Sequence, residues 1–470
     1  MQPNTALGLF FWGFLVLYGV LMVMLSPRAV TIGGFFHGED NQGRSAAPWL
    51  LTSSIFISWI FAKSVTNAAN LGASYGLIGG LAYATYWLAI PLTGFVIYRL
   101  RRKFAATGLV SFLSSHYGRG AALAFTAAIL IRLFNEVWSN TAVVGGYYGD
   151  SGSAGFITAA LLFTAVTLAY SLRGGLRSSI LTDAAQAAIF VVALVWVLGL
   201  VLPQHSAAQL ASTSHWAFSG GVDLLLVAGL QAFSYGFHDP VLTDRGFISE
   251  EKTMRRSFVI AGVLGFVAIL AFSLIGVHAQ LTGMAASSNV PADLAKSMGV
   301  AALMVMTVVM VSAAGSTLDS TFSSLAKLAG RELPHLAGRD LGQKAIGVGM
   351  AVMVVFALLG NLPMLAGTDI LKATTISGTM VIGLAPVFIL HGIFRPTRLG
   401  FHLSFWCGLL LGLALSLDWI PQSWAIGDGS YALLLGTNLY GLILCTLGYV
   451  LPGFICGPAD PSSSSVRKQM

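Results

Sequence analysis

Apolar runs long enough to cross a bilayer recur along the whole chain, separated by short polar stretches. An α-helix needs about 20 apolar residues to traverse the hydrocarbon layer. Runs of that kind lie near 7–26, 48–75, 77–98, 121–146, 154–171, 178–202, 221–243, 257–279, 297–326, 344–361, 368–394, 399–417 and 431–455. They predict an all-α integral membrane protein of about thirteen transmembrane helices. The longest polar stretches, 28–46, 203–220, 244–256 and 328–343, are too short for a hydrophilic domain. The first run lacks a basic n-region and a small-residue cleavage site, so it reads as a helix and not as a signal peptide. The tail from Gly457, with Ser462 to Ser465, reads as a short disordered end.

Two of these runs are interrupted by polar residues. Residues 61–76 put Lys63, Ser64, Thr66, Asn67 and Asn70 in mid-helix. Residues 231–246 do the same with Gln231, Ser234, Tyr235, His238 and Asp239, followed by Pro240. Proline removes a backbone donor and disrupts the turn before it. Broken helices in matching positions of two halves are where transporters place substrate and ion sites. Taken singly, each segment reads equally well as a kinked helix packed by polar contacts.

Composition supports the membrane reading. The chain is 56% hydrophobic and 9% charged, with a mean hydropathy of +0.79. Soluble domains carry about 25% charged residues. The net charge of +7 does not suggest nucleic acid, because the basic residues sort by membrane side. One side collects Arg28, Arg44, Arg99, Arg101, Arg102, Lys103, Arg119, Arg173, Arg177, Arg245, Lys252, Arg255 and Arg256. It also collects Lys327, Arg331, Arg339, Lys344, Arg395, Arg398, Arg467 and Lys468, and the other side shows Lys296. The positive-inside rule then places the N-terminus outside and the C-terminus in the cytoplasm. Cys407, Cys445 and Cys456 form no CxxC and suggest neither a disulfide framework nor a metal site. The chain holds no HExxH or GxSxG motif of a membrane-embedded enzyme and no phosphate-binding glycine loop.

The richest stretch is 171–186. A doubly basic glycine turn (Arg173, Gly174, Gly175, Arg177) opens an apolar helix that carries Asp183 and Gln186. A carboxylate in a spanning helix faces a partner or a polar path. The run Gly-Gly-Leu-Arg, then Thr-Asp, then Gln resembles the fifth core helix of the sodium:solute symporter family. Three further segments resemble that family in order: 109–118 after core helix two, the Asp-Arg and acidic-then-basic loop at 244–256, and 313–324 in core helix eight. The similarity covers roughly residues 45–330 and says little about the solute.

The resemblance implies the LeuT-like five-plus-five inverted repeat, with one extra N-terminal and two extra C-terminal helices. Residues 1–45 would hold the extra helix and a loop, 46–202 core helices one to five, 203–394 core helices six to ten, and 395–470 two accessory helices and a tail. It implies a secondary active transporter of the cytoplasmic (inner) membrane that imports a small organic solute with sodium. No organic cofactor or nucleic-acid partner is implied, and the oligomeric state is left open. Carried over by position, the sodium ligands are the carbonyls of Ala62, Val65 and Ala313 and the hydroxyls of Ser316 and Thr317. Taken alone, those two hydroxyls read as ordinary helix-packing groups. Sugar-carrying members have a glutamine where Ala69 stands, so a sugar is disfavoured.

Lys63 departs from the family, which has a small or uncharged residue there. Asp183 and Asp319 are its candidate partners. Lys63 can replace sodium as a fixed cation, which would give a sodium-independent or proton-linked carrier. It can recruit an anionic solute, or it can be a structural ion pair. Substrate-binding candidates are Asn67, Asn70, Gln231, Ser234, Tyr235, His238 and Thr374, the last beside Lys372, Thr375 and Ser377 at the start of helix ten. Arg132 and Glu136 lie one turn apart and read as a mutual pair, with Asn135 and Asn140 nearby. Tyr83, Tyr86 and Trp87 read as packing residues, and His238 as a core histidine or a proton site. A transporter-like solute sensor is the remaining alternative; sensors of this family carry a signalling domain, for which these residues leave no room.

Overall fold

A computed structural model describes residues 5–284, 287–366 and 377–455. Thr374, with Lys372 and Thr375, lies outside the described residues, as does the tail from Gly457. Among the described residues the chain forms helices and no strand. Nine helices there are long and apolar enough to cross a membrane, and Pro48–Ser58 and Val222–Gln231 are shorter apolar ones.

The principal elements are α1 (Thr5–Leu25), α2 (Pro48–Ser58), α3 (Ala62–Ala84), α4 (Ala89–Phe104), α5 (Arg119–Gly146) and α6 (Ala154–Val201). They continue with α7 (Val222–Gln231), α8 (Glu251–Leu281), α9 (Val300–Lys327), α10 (Lys344–Leu359), α11 (Arg398–Ser416) and α12 (Ala432–Ile455). α3 packs along α8, α6 along α9, and α11 along α12. Burial is inverted relative to a water-soluble globule. Lys63, Glu136, Asp183, Arg245 and Asp319 are each at most 1% exposed, whereas Val192 is 71% and Leu358 68% exposed. Apolar side chains can cover the outside only where the surrounding medium is itself apolar.

Two glycines turn continuous helical sequence back on itself. Gly76 has φ 63° and Gly175 has φ 52°, values that favour glycine. A side chain at Gly76 would meet the Thr213 carbonyl oxygen at 2.5 Å, and one at Gly175 the Phe35 carbonyl oxygen at 2.4 Å. Tyr170 and Gln186 would stand about 24 Å apart along one straight helix. Here the Gln186 Nε2 donates to the Tyr170 hydroxyl at 3.3 Å, so α6 is a hairpin of two helices. α3 folds back in the same way, and Asn67 reaches the Tyr83 hydroxyl at 3.1 Å.

The first interruption falls at Trp59–Phe61, ahead of the polar run that the sequence marked. No glycine or proline sits there. Side chains from elsewhere hold the break open by taking the backbone groups it frees. Asn140 Oδ1 accepts the Ala62 N–H at 3.0 Å, and the Thr317 hydroxyl donates to the Ser58 carbonyl at 3.2 Å. The second interruption follows α7. Residues 232–239 leave the α-helix through a 3₁₀ turn at Tyr235–His238, and a short helix restarts at Pro240 with Asp239 as its N-cap.

Candidate functional site

The two breaks face each other. The Trp59 indole N–H donates to Asp239 Oδ2 at 3.0 Å, and the Trp59 and Tyr235 rings meet edge to face at 6.1 Å. Around this junction lies a cavity of about 20 Å³ lined by Trp59, Phe61, Lys63, Ser64, Tyr83, Tyr86, Trp87 and Tyr235. That is room for a single water. Tyr83, Tyr86 and Trp87 pack against one another and form part of the wall.

Four buried charges sit at and behind the wall. Lys63 Nζ lies 2.6 Å from Glu136 Oε1, and Arg132 reaches the same oxygen at 2.5 Å. Arg132 also pairs with Asp239 at 3.0 Å. Asn140 donates to the second Glu136 oxygen at 2.9 Å, and Lys63 donates to Ser139 at 3.1 Å. Two cations thus balance two carboxylates. The Arg132–Glu136 pair has its expected one-turn spacing, but it is half of a four-membered network. Lys63 does not meet Asp183 or Asp319. Its side chain leaves α3 toward α5, because those carboxylates lie on the α6–α9 face, beyond the break.

Asp183 and Asp319 form a second cluster. Arg245 pairs with Asp183 at 3.0 Å and donates to Ser54 at 2.7 Å and Ser320 at 2.7 Å. Asp183 also accepts the Ser316 hydroxyl. Asp319 accepts from Ser179 at 2.7 Å, Tyr170 at 2.9 Å and Thr182 at 3.0 Å. It has no ion-pair partner among the described residues. Arg245, counted with the loop charges from sequence, is 0% exposed and locks α2, α6, α9 and the helix restarted at Pro240 together.

Between the two clusters lies a group of neutral oxygens. The Thr317 hydroxyl is 3.2 Å from both the Ser58 and the Ala313 carbonyls. Ser316 is one residue away. A hard monovalent cation needs such oxygens in place of its water. The carbonyls of Ala62 and Val65 do not join this group. They lie inside α3, and that of Ala62 accepts the Thr66 hydroxyl at 3.2 Å. The carbonyl that the break presents to Thr317 is Ser58's, four residues earlier, because the helix ends there.

The remaining substrate candidates divide. Tyr235 lines the cavity, and its hydroxyl accepts from Arg132 at 3.4 Å. His238 Nδ1 donates to the Tyr235 carbonyl at 2.7 Å. Ser234 donates to the Gln231 carbonyl at 3.2 Å. Asn67 stands behind Tyr83. Gln231 accepts the Tyr86 hydroxyl at 2.9 Å and donates to Asn438 of α12 at 3.0 Å, so it supports the wall from outside. Asn70 is far from the cavity and clamps the backbone of Ser288 and Val290 at 2.9 and 3.0 Å. Trp59, Phe61, Ser139 and Arg245 were missed. Trp59 and Phe61 carry no polar signal in an apolar run, whereas the Asp-Arg pair at 244–245 could have flagged Arg245.

No family model matches the chain. It is 26% identical over 183 residues to sodium/glucose cotransporter 1 of Mus musculus, covering 38% of this chain and 27% of that protein. It is 23% identical over 192 residues to a urea active transporter of Saccharomyces cerevisiae, covering 40% and 25%. The matches therefore span about a quarter of these relatives' length. The solved substrate-bound, outward-open structure of a Na+-coupled sialic acid symporter superposes with a TM-score of 0.74 over 97% of this chain and 99% of that one, at 14% identity. Sequence and architecture agree: the chain is a multi-pass membrane protein related to the sodium:solute symporters and built on their LeuT-like helical fold.

Proposed function

We propose that the protein is a secondary active transporter that imports a small organic solute with sodium by alternating access. The observation that carries this reading is the junction of two broken helices, with Thr317 set against the Ser58 and Ala313 carbonyls on one side and an aromatic cavity on the other. Sodium would sit among the Ser58, Ala313, Thr317 and Ser316 oxygens. Both faces are closed around the cavity: Arg245 ties the basic side, and Asn70 ties the opposite side to the 288–290 loop. Opening either face requires one set of these bonds to break. The network around Lys63 favours a role inside a balanced charge cluster over that of a lone substitute for sodium.

Residues 46–202 and 203–394 are proposed as the two inverted repeats, flanked by 1–45 and 395–470. The location is the cytoplasmic membrane, with the N-terminus outside. Reporters fused after Gly149 and Gly283 should read external, and those after Lys103 and Glu250 internal. A reversed pair would overturn that orientation. Transport is tested by a thermal-shift screen of purified protein against metabolites with and without sodium, followed by uptake into proteoliposomes. Hits whose stabilisation ignores sodium, with uptake indifferent to a sodium gradient, would favour the sodium-independent carrier instead.

A further inference from the structure

The central cavity also constrains the chemistry of its solute, given the transport reading above. Lys63 lines the cavity, and an ammonium has three N–H donors. Two are committed, to Glu136 at 2.6 Å and Ser139 at 3.1 Å. The third has no hydrogen-bond acceptor among the described residues, and the ammonium stands 5.2 Å from the centroid of the Phe61 ring. The hydroxyls of the wall offer far less. Tyr83 donates to Ser64 at 3.2 Å and accepts from Asn67 at 3.1 Å, and Tyr86 donates to Gln231 at 2.9 Å. What the wall presents to a solute is therefore mostly ring surface, with one N–H of a cation and the indole N–H of Trp87, unpartnered among the described residues. Neighbouring rings pack edge to face or tilted, with centroids 5.5–6.2 Å apart.

Charge narrows the choice further. Lys63, Arg132, Glu136 and Asp239 already cancel. A monoanion entering with one sodium ion adds no net charge to the membrane interior, whereas a cationic solute with sodium adds two positive charges against the single unpaired carboxylate of Asp319. A polyhydroxylated solute would leave most of its hydroxyls without partners against ring faces. Size acts in the same direction, because the rings must part to admit any solute and a flat body needs the least displacement.

We infer that the transported solute is a small monoanion, a carboxylate on a flat apolar body, whose oxygen accepts the third N–H of Lys63 while the body lies against Trp59, Tyr83, Tyr86 and Tyr235. The test uses the full chain in detergent, with benzoate and crotonate as probes. Benzamide, benzylammonium and gluconate serve as neutral, cationic and hydroxylated controls. Melting temperature is read with each at millimolar concentration, with and without sodium. The two flat carboxylates should stabilise, more so with sodium, and the three controls should not. Lys63→Gln alone would leave Arg132 facing two buried carboxylates, so the double variant Lys63→Gln/Glu136→Gln is the partner measurement. It should fold and bind benzoate about ten- to a hundredfold more weakly.

Stabilisation by benzamide or benzylammonium equal to that by benzoate, silence of both carboxylates, or unchanged benzoate binding in the double variant would each overturn the assignment. Uptake into proteoliposomes separates this from the transport reading. Benzoate that binds without entering would sink transport and leave the ligand class standing. Sodium-driven entry of a neutral or cationic solute would sink the class and leave transport standing.

Discussion

The two buried charge clusters solve the same physical problem in opposite ways. At the centre, Lys63 and Arg132 share Glu136, and Asp239 completes the balance. Nearer the basic side, Arg245 alone faces Asp183 and Asp319, and hydroxyls make up the difference: Ser54, Tyr170, Ser179, Thr182, Ser316 and Ser320. A buried charge is tolerated when it is paired or fully hydrogen-bonded. The central cluster is electrically complete and can hold still while a solute comes and goes. The second has one carboxylate more than its cations and an excess of oxygen, an environment that attracts a cation. The break at Trp59–Phe61 lies between them, with the Ser58 carbonyl on its near side in the candidate ion site and Trp59 in the wall of the central cavity. The division of labour follows from charge balance.

The sharpest way to break this comparison is to remove the lone cation. Arg245→Met leaves Asp183 and Asp319 buried without a counter-charge and should destabilise the protein by about 3–5 kcal/mol. Asp183→Asn in the same chain should recover much of that loss, because the pair then disappears instead of being orphaned. Thermal unfolding in detergent measures both. At the centre, Glu136→Gln should cost less, about 2–3 kcal/mol, because Arg132 keeps Asp239 and glutamine keeps an acceptor for Lys63. If Glu136→Gln were the more damaging change, the centre would not be the self-sufficient cluster described here.

The uneven legibility of these regions in the sequence has a physical cause. Helical spans are written in long apolar runs, and the turns at Gly76 and Gly175 are written in glycine. The second break announces itself through Pro240. The first does not, since Trp59 and Phe61 look like any apolar helix and the groups that hold the break open, Asn140 and Thr317, arrive from α5 and α9. Of the carried-over carbonyls, Ala313's meets Thr317, and Ala62's lies four residues after the Ser58 carbonyl that the break presents. Lys63 was visible as an anomaly, but its partner depended on the direction in which its side chain leaves α3, which residue spacing along one helix does not specify. Asn70 and Asn67 carry the same side chain one turn apart. One clamps a loop and the other supports Tyr83, and only the packed structure separates them.

A smaller effect sharpens the ion half of the comparison. Ser316→Ala with Thr317→Ala removes the hydroxyls that touch Asp183 and the Ser58 carbonyl. Stability should fall by about 1–3 kcal/mol. The informative reading is the sodium-dependent rise in melting temperature, which should vanish while stabilisation by the solute in sodium-free buffer persists. Retained sodium dependence would move the ion away from these oxygens, and loss of both responses would mean that one site, not two, is being read.

The smallest predicted effect concerns α12, which among the described residues meets the substrate candidates at Gln231. Asn438 is 0% exposed, accepts from Gln231 at 3.0 Å and donates to Thr379 at 3.0 Å. Gln231 in turn accepts the hydroxyl of Tyr86, a wall residue. An amide buried this deeply in a membrane helix is costly unless its bonds are made, so this accessory helix is tied by polar contacts to the end of α7. Asn438→Leu should lower stability by about 1 kcal/mol, within the range for polar contacts between membrane helices. It should also let Tyr86 reorient, which a cysteine at Ser64 in the cavity wall would report as faster reaction with a small thiol reagent. Tyr86→Phe should raise that rate by a similar factor, and the double variant should add nothing further, because both changes cut one chain of contacts. Additive increases would show that α12 acts on the cavity by another route. An unchanged rate with the same loss of stability would confine Asn438 to packing, and the solute half of the comparison would then rest on the core helices alone.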